Sequence, residues 1–226
     1  RRAKQAVTTR LAIFDCDGTL VDSQANICVA MEEAFSSAKL APPERNAIRR
    51  IVGLSLPEAM ARLVPQADAD LHFALADAYK DQFVKLRSSG AMLAEPLYDG
   101  IADTLGALED SGWVLGVATG KSDRGLNLLL DHHGLKHRFV TLQTADRHPS
   151  KPHPSMLETA IAEAGAAPET SVMIGDTTFD MAMGVAAGVH PLGVAWGYHA
   201  PDELRAAGAA HVTGHAGEIA PYLDSL

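Results

Sequence analysis

At 226 residues, the chain is long enough to bury a full core, either as one domain or as one domain that carries an insertion. Its 47% hydrophobic and 21% charged residues are typical of a soluble globular protein. The formal net charge of −9 has no basic stripe to compensate it, which argues against nucleic acid or an anionic membrane as a partner.

The cysteines and the apolar segments bear on location. Cys16 and Cys28 are the two cysteines of the chain, so we expect reduced thiols and a cytoplasmic protein. No long apolar stretch follows the basic start at residues 1–10, so we expect no secretory signal there. The apolar window at 181–196 is interrupted by three glycines and a proline, which predicts that it does not span a membrane.

The first predicted element is a short strand that ends in two carboxylates. Apolar residues at 11–14 lead into Asp15 and Asp17, and Gly18 begins a turn. Side chains alternate along an extended chain, so Asp15 and Asp17 point the same way and Cys16 points opposite. Two neighbouring carboxylates are costly unless a cation lies between them or one of them keeps a proton. The segment therefore predicts a Mg²⁺ ion and a proton-transfer role.

A purely helical pattern of about seventy residues follows this strand. We predict helices over 23–39, with Asp22 or Ser23 as the cap, then after Pro42 and Pro43, from Pro57, and over 70–89. This block predicts a helical cap domain at 21–93, inserted into a catalytic core formed by residues 1–20 and 94–226.

From about residue 94 onward, helices and strands alternate, as a parallel sheet requires. The predicted helices cover 101–110, 122–133, 155–164, 179–187 and 201–207, and the predicted strands cover 113–118, 139–143, 171–174 and 192–195. The fold class expected from this order is α/β, a Rossmann-like three-layer core with a parallel sheet and an inserted α-helical cap.

Four polar clusters follow the predicted strands, and ligands of open α/β sheets bind beyond the carboxyl ends of strands. They are Asp15 with Asp17, the segment Thr119-Gly120-Lys121, Lys151 before Pro152, and the segment from Asp176 to Asp180. In order and chemical type, these clusters resemble the four motifs of the haloacid dehalogenase superfamily of phosphohydrolases. The residues at 15–23, 52–55 and 196–198 are most similar to its phosphoglycolate phosphatase-like branch. Cys16 departs from that branch, which usually has Phe or Leu there.

The resemblance implies a role for each carboxylate. Asp15 is the expected nucleophile, which forms an aspartyl-phosphate. Asp15 and Asp176 are the expected side-chain ligands of Mg²⁺, and the backbone carbonyl of Asp17 is the implied third contact. Asp180 is expected to orient water molecules that are bound to the metal rather than to bind the metal directly. Asp17, with a pKa raised by its neighbours, is expected to protonate the leaving oxygen and then activate water.

The remaining clusters are expected to bind the phosphate. Lys151 supplies a compact positive charge beside Asp15. Thr119 and the amides from Gly120 onward donate hydrogen bonds at a strand end that opens a helix. Lys121 and Asp22 lie near these positions, and each is as well explained as a surface or capping residue.

The expected function is that of a magnesium-dependent phosphatase acting on a small phosphorylated metabolite, with phosphoglycolate and sugar phosphates as leading substrates. The alternatives are a sugar phosphomutase of the β-phosphoglucomutase type and a non-catalytic phosphate-binding protein; Asp17 has no evident purpose in a dehalogenase. Arg45, Arg49 and Arg50 would suit a second anionic group, although a solvated helix face is the commoner explanation. The expected assembly is a monomer or a homodimer.

Overall fold

The computed structural model describes residues 8–226, so the first part of the basic start discussed above lies outside the described residues. A six-stranded sheet, every pairing of which is parallel, forms its centre in the order β3-β2-β1-β4-β5-β6. The strands are β1 (Thr9–Phe14), β2 (Trp113–Thr119), β3 (Phe139–Thr144), β4 (Ala166–Gly175), β5 (His190–Val194) and β6 (His211–Thr213). The first strand of the chain is therefore central in the sheet, between β2 and β4.

Ten α-helices accompany the sheet in the described part of the chain. They are α1 (Gln24–Ser37), α2 (Arg45–Ile51), α3 (Leu56–Leu63), α4 (Ala69–Ser88), α5 (Ile101–Asp110), α6 (Asp123–His132), α7 (Ser155–Ala164), α8 (Thr178–Ala187), α9 (Pro201–Ala206) and α10 (Ile219–Asp224). Within residues 8–226, no helix combines the length and the hydropathy needed to cross a membrane.

Helices cover both faces of the sheet, and β1 sends alternate side chains into the two apolar layers that result. Ala12 and Phe14 join an apolar cluster with residues of α5, α6 and α10. Leu11 and Ile13 join a second cluster with residues of α7 and α8. Helices on both faces of one parallel sheet make the three-layer α/β architecture that the sequence predicts.

Helices α1 to α4 surround a third apolar cluster, apart from the two that cover the sheet. The chain leaves and re-enters the sheet region at neighbouring points: Val21 bridges to Leu97, and the amide of Asp22 donates to the carbonyl of Pro96 at 2.9 Å. The helical segment therefore leaves and rejoins the rest of the chain at one place.

The secondary-structure predictions are confirmed for most elements, with three corrections. Strand β4 begins at Ala166, five residues before the predicted start, and β6 and α10 were not predicted at all. The three-residue β6 pairs only with β5 at the sheet edge, and so short a run has no readable alternation. Ser23 occupies the cap position of α1 but makes no side-chain capping hydrogen bond, and its hydroxyl donates to Asp17.

Candidate active site

The strand ends of the sheet bring the sequence clusters together. Asp15 follows β1, Thr119 ends β2, Asp176 follows β4, and Lys151 comes from the loop after β3. All four side chains are buried. Since β1 lies between β2 and β4, parallel pairing alone places Asp15 between the other clusters.

Lys151 joins two carboxylates inside the protein. Its ammonium nitrogen lies 2.9 Å from Asp15 Oδ1 and 2.6 Å from Asp180 Oδ1, with all three side chains essentially inaccessible to solvent. Burial lowers the pKa of Lys151, but the two carboxylates outweigh that effect and raise it overall. Lys151 is therefore a permanent cation at this site.

Asp15 carries an oxygen that the described residues leave without a partner. Its Oδ1 accepts from Lys151 and from the amide of Cys16 at 2.7 Å, whereas its buried Oδ2 accepts no hydrogen bond within residues 8–226. Burial raises the pKa of Asp15 to about 7, and the repulsion from Asp180 adds to this effect while Lys151 opposes it. An unpartnered buried carboxylate oxygen is costly, and a ligand that binds there recovers that free energy.

Asp180 is fixed by the start of helix α8. The backbone amide and the hydroxyl of Thr177 donate to its Oδ2 at 3.0 and 2.7 Å. The amide of Asp180 donates back to Thr177 Oγ1 at 3.4 Å, which completes a capping box. The ammonium group of Lys151 donates a hydrogen bond to the other carboxylate oxygen of Asp180. Both oxygens are thus occupied by protein groups, in keeping with the expectation that Asp180 acts indirectly.

Asp176 is held by two donors from distant parts of the chain. The hydroxyl of Thr19 donates to its Oδ1 at 2.9 Å, and the amide of Tyr198 donates to its Oδ2 at 2.8 Å. Burial raises the pKa of Asp176 well above its ordinary value, and the nearby Asp15 and Asp180 carboxylates raise it further. Burial and the repulsion between like charges both destabilise the ionised form of Asp176, and a bound cation stabilises that form.

The carboxylates form a group suited to a divalent cation. One oxygen each of Asp15, Asp176 and Asp180 lies within 4.8 Å of the others, and all three residues are buried. A hard cation such as Mg²⁺ prefers carboxylate oxygens, and the unpartnered Oδ2 of Asp15 belongs to this group of residues. The residues present therefore fit Mg²⁺.

The Asp17 carboxylate has different neighbours. The ammonium group of Lys121 lies 2.8 Å from its Oδ1, and the hydroxyl of Ser23 donates to the same oxygen. Burial lowers the pKa of Lys121, but Asp17 more than reverses this and raises it overall. Lys121 is thus part of the site through Asp17. Metal contact by Asp17 through its backbone carbonyl stays a prediction.

Gly120 brings the cap and the core into close contact. A Cβ atom at Gly120 would lie 2.6 Å from the carbonyl oxygens of Gly53 and Leu54, which belong to the segment between α2 and α3. A Cβ atom at Gly53 would in turn lie 3.9 Å from Asp15 Oδ2. At Gly120, only a residue without a side chain allows this approach, whereas the distance at Gly53 is an ordinary contact. The segment between α2 and α3 therefore lies close to Asp15 in this structure.

Polar contacts between cap and core surround this approach. The amide of Ser55 donates to Ser150 Oγ at 2.9 Å, and Arg50 forms a paired ion contact with Glu203 at 2.7 Å. Arg45 and Arg49 bind Glu32 and Gln24 within the cap. These arginines have partners in the protein, so the solvated or structural interpretation holds for them.

A cavity of about 260 Å³ lies between the cap and the core beside this contact. Its floor includes Asp17, Gly120 and Lys121, and its walls come mainly from α1, the segment 51–56 and α4. The site thus has an opening on the side of Asp17, large enough for part of a small molecule.

Three site residues escaped the sequence analysis as functional groups: Thr19, Ser23 and Tyr198. Thr19 and Ser23 hold Asp176 and Asp17, and the amide of Tyr198 holds Asp176. Thr19 and Ser23 lie next to the first cluster, which was an available signal. The Tyr198 contact is made by the backbone, which no residue type reveals.

The parallel sheet with buried carboxylates at its strand ends defines an α/β enzyme with an acidic, cation-accepting centre. Residues 12–194 match the family described as haloacid dehalogenase-like hydrolase, and the chain belongs to that family. The predicted family and fold class are therefore confirmed.

Relatives of known sequence and structure agree with this assignment. The chain is 35% identical over 204 residues to the probable phosphatase IndB of Dickeya dadantii. The alignment covers 87% of this chain and 86% of that protein. It is 30% identical to a phosphoglycolate phosphatase of Pseudomonas putida over 84% of this chain and 71% of that protein. The crystal structure of a predicted phosphatase from Clostridium acetobutylicum shares the fold, with a TM-score of 0.86 at 24% identity over 97% of this chain and 100% of that one.

Proposed function

We propose that the protein is a magnesium-dependent phosphatase that hydrolyses a small phosphorylated metabolite through an aspartyl-phosphate on Asp15. The observation that carries this proposal is the unpartnered Oδ2 of Asp15, buried beside Lys151 and grouped with two further carboxylates. The names of the phosphatase relatives support it. Phosphoglycolate is the substrate in the name of one relative, whereas the substrate of this chain depends on the cavity beside Asp17.

The first half-reaction transfers the phosphoryl group to the enzyme. Asp15 Oδ2 attacks phosphorus and forms the new P–O bond, while the bond from phosphorus to the leaving oxygen breaks. Asp17 gives its proton to that oxygen, so an alcohol departs instead of an alkoxide. Lys121 and Ser23 hold the Asp17 carboxylate in position for this transfer.

The second half-reaction restores the enzyme. Asp17 takes a proton from water, the water oxygen attacks phosphorus, and the bond to Asp15 breaks to release inorganic phosphate. Lys151 compensates negative charge beside Asp15 throughout, and the Thr119 hydroxyl and the Gly120 amide donate to phosphoryl oxygens. When Mg²⁺ is bound by Asp15, Asp176 and the Asp17 carbonyl, it neutralises charge on the phosphate.

The proposal includes the organisation of the chain. Residues 21–93 form a cap that closes over a core of residues 1–20 and 94–226, which excludes bulk water from the site. The apposition of Val21 and Leu97 supports a hinge at these boundaries. The two buried free cysteines support a reducing, cytoplasmic location, and we propose a monomer or homodimer.

Phosphate release from a panel of phosphate esters, with and without Mg²⁺, tests the function. We expect Mg²⁺-dependent release by the wild type and loss of at least about a thousandfold in Asp15→Asn, which keeps the shape but removes the nucleophile. Asp202→Asn is the matched control, because the Asp202 side chain is 96% exposed. Full activity of Asp15→Asn would contradict the proposal, as would isomerised sugar phosphate without phosphate release.

A further inference from the structure

The cavity beside Asp17 has a composition that restricts the substrate, given the proposed function on which this inference rests. Since Asp17 protonates the leaving oxygen, the part of the substrate beyond that oxygen occupies the cavity that Asp17 lines. The lining of the cavity includes Asp17 but not Asp15, Lys151 or Asp176. The cavity is therefore the compartment for the leaving group, not for the phosphoryl group.

The walls of this cavity are apolar. Ile27 and Met31 of α1 are buried, and Tyr79 and Phe83 of α4 pack with ring centroids 5.1 Å apart. Ile51, Val52 and Leu54 close the side next to Gly53. Apart from the hydroxyl of Tyr79, these side chains offer a polar or charged group no hydrogen-bond partner in return for its lost hydration.

The cations around the cavity do not form a carboxylate site. Lys121 on the floor already has Asp17 at 2.8 Å, and Glu95 adds to the negative potential around it. Lys80, Arg87 and Arg124 also line the cavity, but their side chains are exposed to solvent, where charges are screened. A carboxylate one carbon from the ester oxygen would find no unpaired cation within the apolar part of the cavity.

We propose that the substrate is a phosphate ester of an apolar alcohol, uncharged near the ester and bulkier than glycolate. A cavity of about 150 Å³ lined by aliphatic and aromatic residues is enough for benzene, so about 260 Å³ admits a substituted ring or a chain of several carbons. The paired rings of Tyr79 and Phe83 offer an aromatic wall against which a flat group stacks.

A series of primary phosphate esters tests this proposal in the Mg²⁺-loaded wild type. Ethyl, butyl and hexyl phosphate lose similarly basic alkoxides and differ in apolar length, and benzyl phosphate adds a ring. We expect kcat/KM to rise roughly fourfold per methylene while the cavity fills, as burial of a CH₂ group predicts. Benzyl phosphate is expected to exceed phosphoglycolate by about thirtyfold or more, from the same burial.

Equal kcat/KM values across the alkyl esters, or a higher kcat/KM for phosphoglycolate than for these esters, would overturn the inference. Either result would leave the phosphatase assignment intact. Phe83→Ala is expected to lower the hexyl-to-ethyl ratio of kcat/KM about tenfold, because it removes apolar wall. Phe73→Ala, on the same helix but 57% exposed and outside the cavity lining, is the matched control and keeps the wild-type ratio. An unchanged ratio in Phe83→Ala counts against the proposal.

A binding measurement separates this inference from the phosphatase assignment. Calorimetry on Mg²⁺-loaded Asp15→Asn compares hexylphosphonate with phosphonoacetate and needs no turnover. We expect at least tenfold tighter binding of hexylphosphonate. If no ester releases phosphate, the proposed function fails, and this comparison still decides whether the cavity is an apolar site. Tighter binding of phosphonoacetate would overturn the inference.

Discussion

The ammonium group of Lys151 lies 2.6 Å from Asp180, closer than the 2.9 Å that separates it from Asp15, and none of these side chains reaches solvent. Asp180 is itself fixed by Thr177 at the start of α8. The cation beside the proposed nucleophile is therefore oriented by a carboxylate that helix capping holds in place. We therefore propose that Asp180 acts on the reaction through Lys151, as a positioning residue.

Replacing Asp180 with Asn tests this relationship. The amide cannot accept from both Lys151 and Thr177 as the carboxylate does, so Lys151 loses its fixed direction. We expect kcat to fall about 10- to 100-fold with a smaller change in KM, as for residues that orient a catalytic group. We also expect the free energy of unfolding to fall by about 1–3 kcal/mol.

The matched control for this variant is Asp77→Asn, because the Asp77 side chain is 75% exposed and pairs only with the neighbouring Lys80. It is expected to leave both quantities unchanged, since exposed ion pairs contribute little. Steady-state kinetics and urea unfolding supply the measurements. Wild-type kcat in Asp180→Asn would show that Lys151 needs no orienting carboxylate.

The carboxylate group predicts how metal removal changes stability with pH. The pKa of Asp15 rises from 3.8 to about 7 on folding, chiefly through burial. Between these values, the unfolded chain has lost the proton that the folded protein keeps, so the folded state binds more protons. The free energy of unfolding of the metal-free protein therefore falls as pH rises from about 4 to about 7. The loss from Asp15 is roughly 4 kcal/mol at most.

Denaturant unfolding in a chelator, repeated from pH 4 to pH 8, measures this dependence. Asp15→Asn cannot ionise at this position and is expected to make the curve less steep, while Asp176, whose pKa burial also raises, still contributes. Mg²⁺ is expected to restore stability at neutral pH by binding the ionised form. Stability that rises with pH in the metal-free wild type would contradict the assignment of Asp15 as the strained carboxylate.

The sequence predicts the sheet and the strand-end clusters because both depend on local patterns. Apolar runs that end in Asp15, Thr119 and Asp176 mark strand ends, and the rules of parallel sheets then bring those ends to one edge. The position of Lys151 follows from the family resemblance, since its loop carries no periodic signal. These parts of the site needed no knowledge of packing.

The contacts across the chain were not predictable in the same way. Gly53 and Gly120 meet only in the folded arrangement of cap and core, and glycine in a loop has many explanations. Tyr198 holds Asp176 with a backbone amide, and Ser23 donates to Asp17 where a helix cap was expected. The facing of Met31 and Phe83 toward the cavity also depends on how α1 and α4 pack against the core.

Asp17 is expected to separate the two half-reactions when it is replaced by Asn. p-Nitrophenolate departs without a proton, so Asp17→Asn still forms the aspartyl-phosphate from p-nitrophenyl phosphate. Hydrolysis of the aspartyl-phosphate needs the missing base, so we expect this step to slow by about 10²- to 10⁴-fold. Stopped-flow absorbance is expected to show a burst of about one nitrophenolate per enzyme followed by slow turnover, the pattern of a trapped covalent intermediate.

The control for Asp17 is Ser23→Ala, which keeps the carboxylate and removes one of its donors. It is expected to lower kcat less than Asp17→Asn and to show no burst, because the base is still present. Asp17→Asn with wild-type turnover of both nitrophenyl and alkyl esters would assign the acid and base to another group.

We predict that the close contact between cap and core depends on Gly120, and replacement of Gly120 with Ala tests this prediction. A Cβ atom there would lie 2.6 Å from the backbone oxygens of Gly53 and Leu54, and backbone cannot rotate away as a side chain does. We therefore expect the cap to stay partly open, which admits water and lowers kcat/KM by about 10²-fold.

Gly217→Ala is the matched control, since a Cβ atom at Gly217 meets no atom within 4 Å. Small-angle scattering is expected to show a larger radius of gyration for Gly120→Ala than for this control. The clash lies between cap and core. We therefore expect a large fall in kcat/KM but only a small change in the free energy of unfolding of the core. A variant that keeps wild-type kcat/KM and dimensions would mean that the closed contact at Gly53 is not required for the reaction.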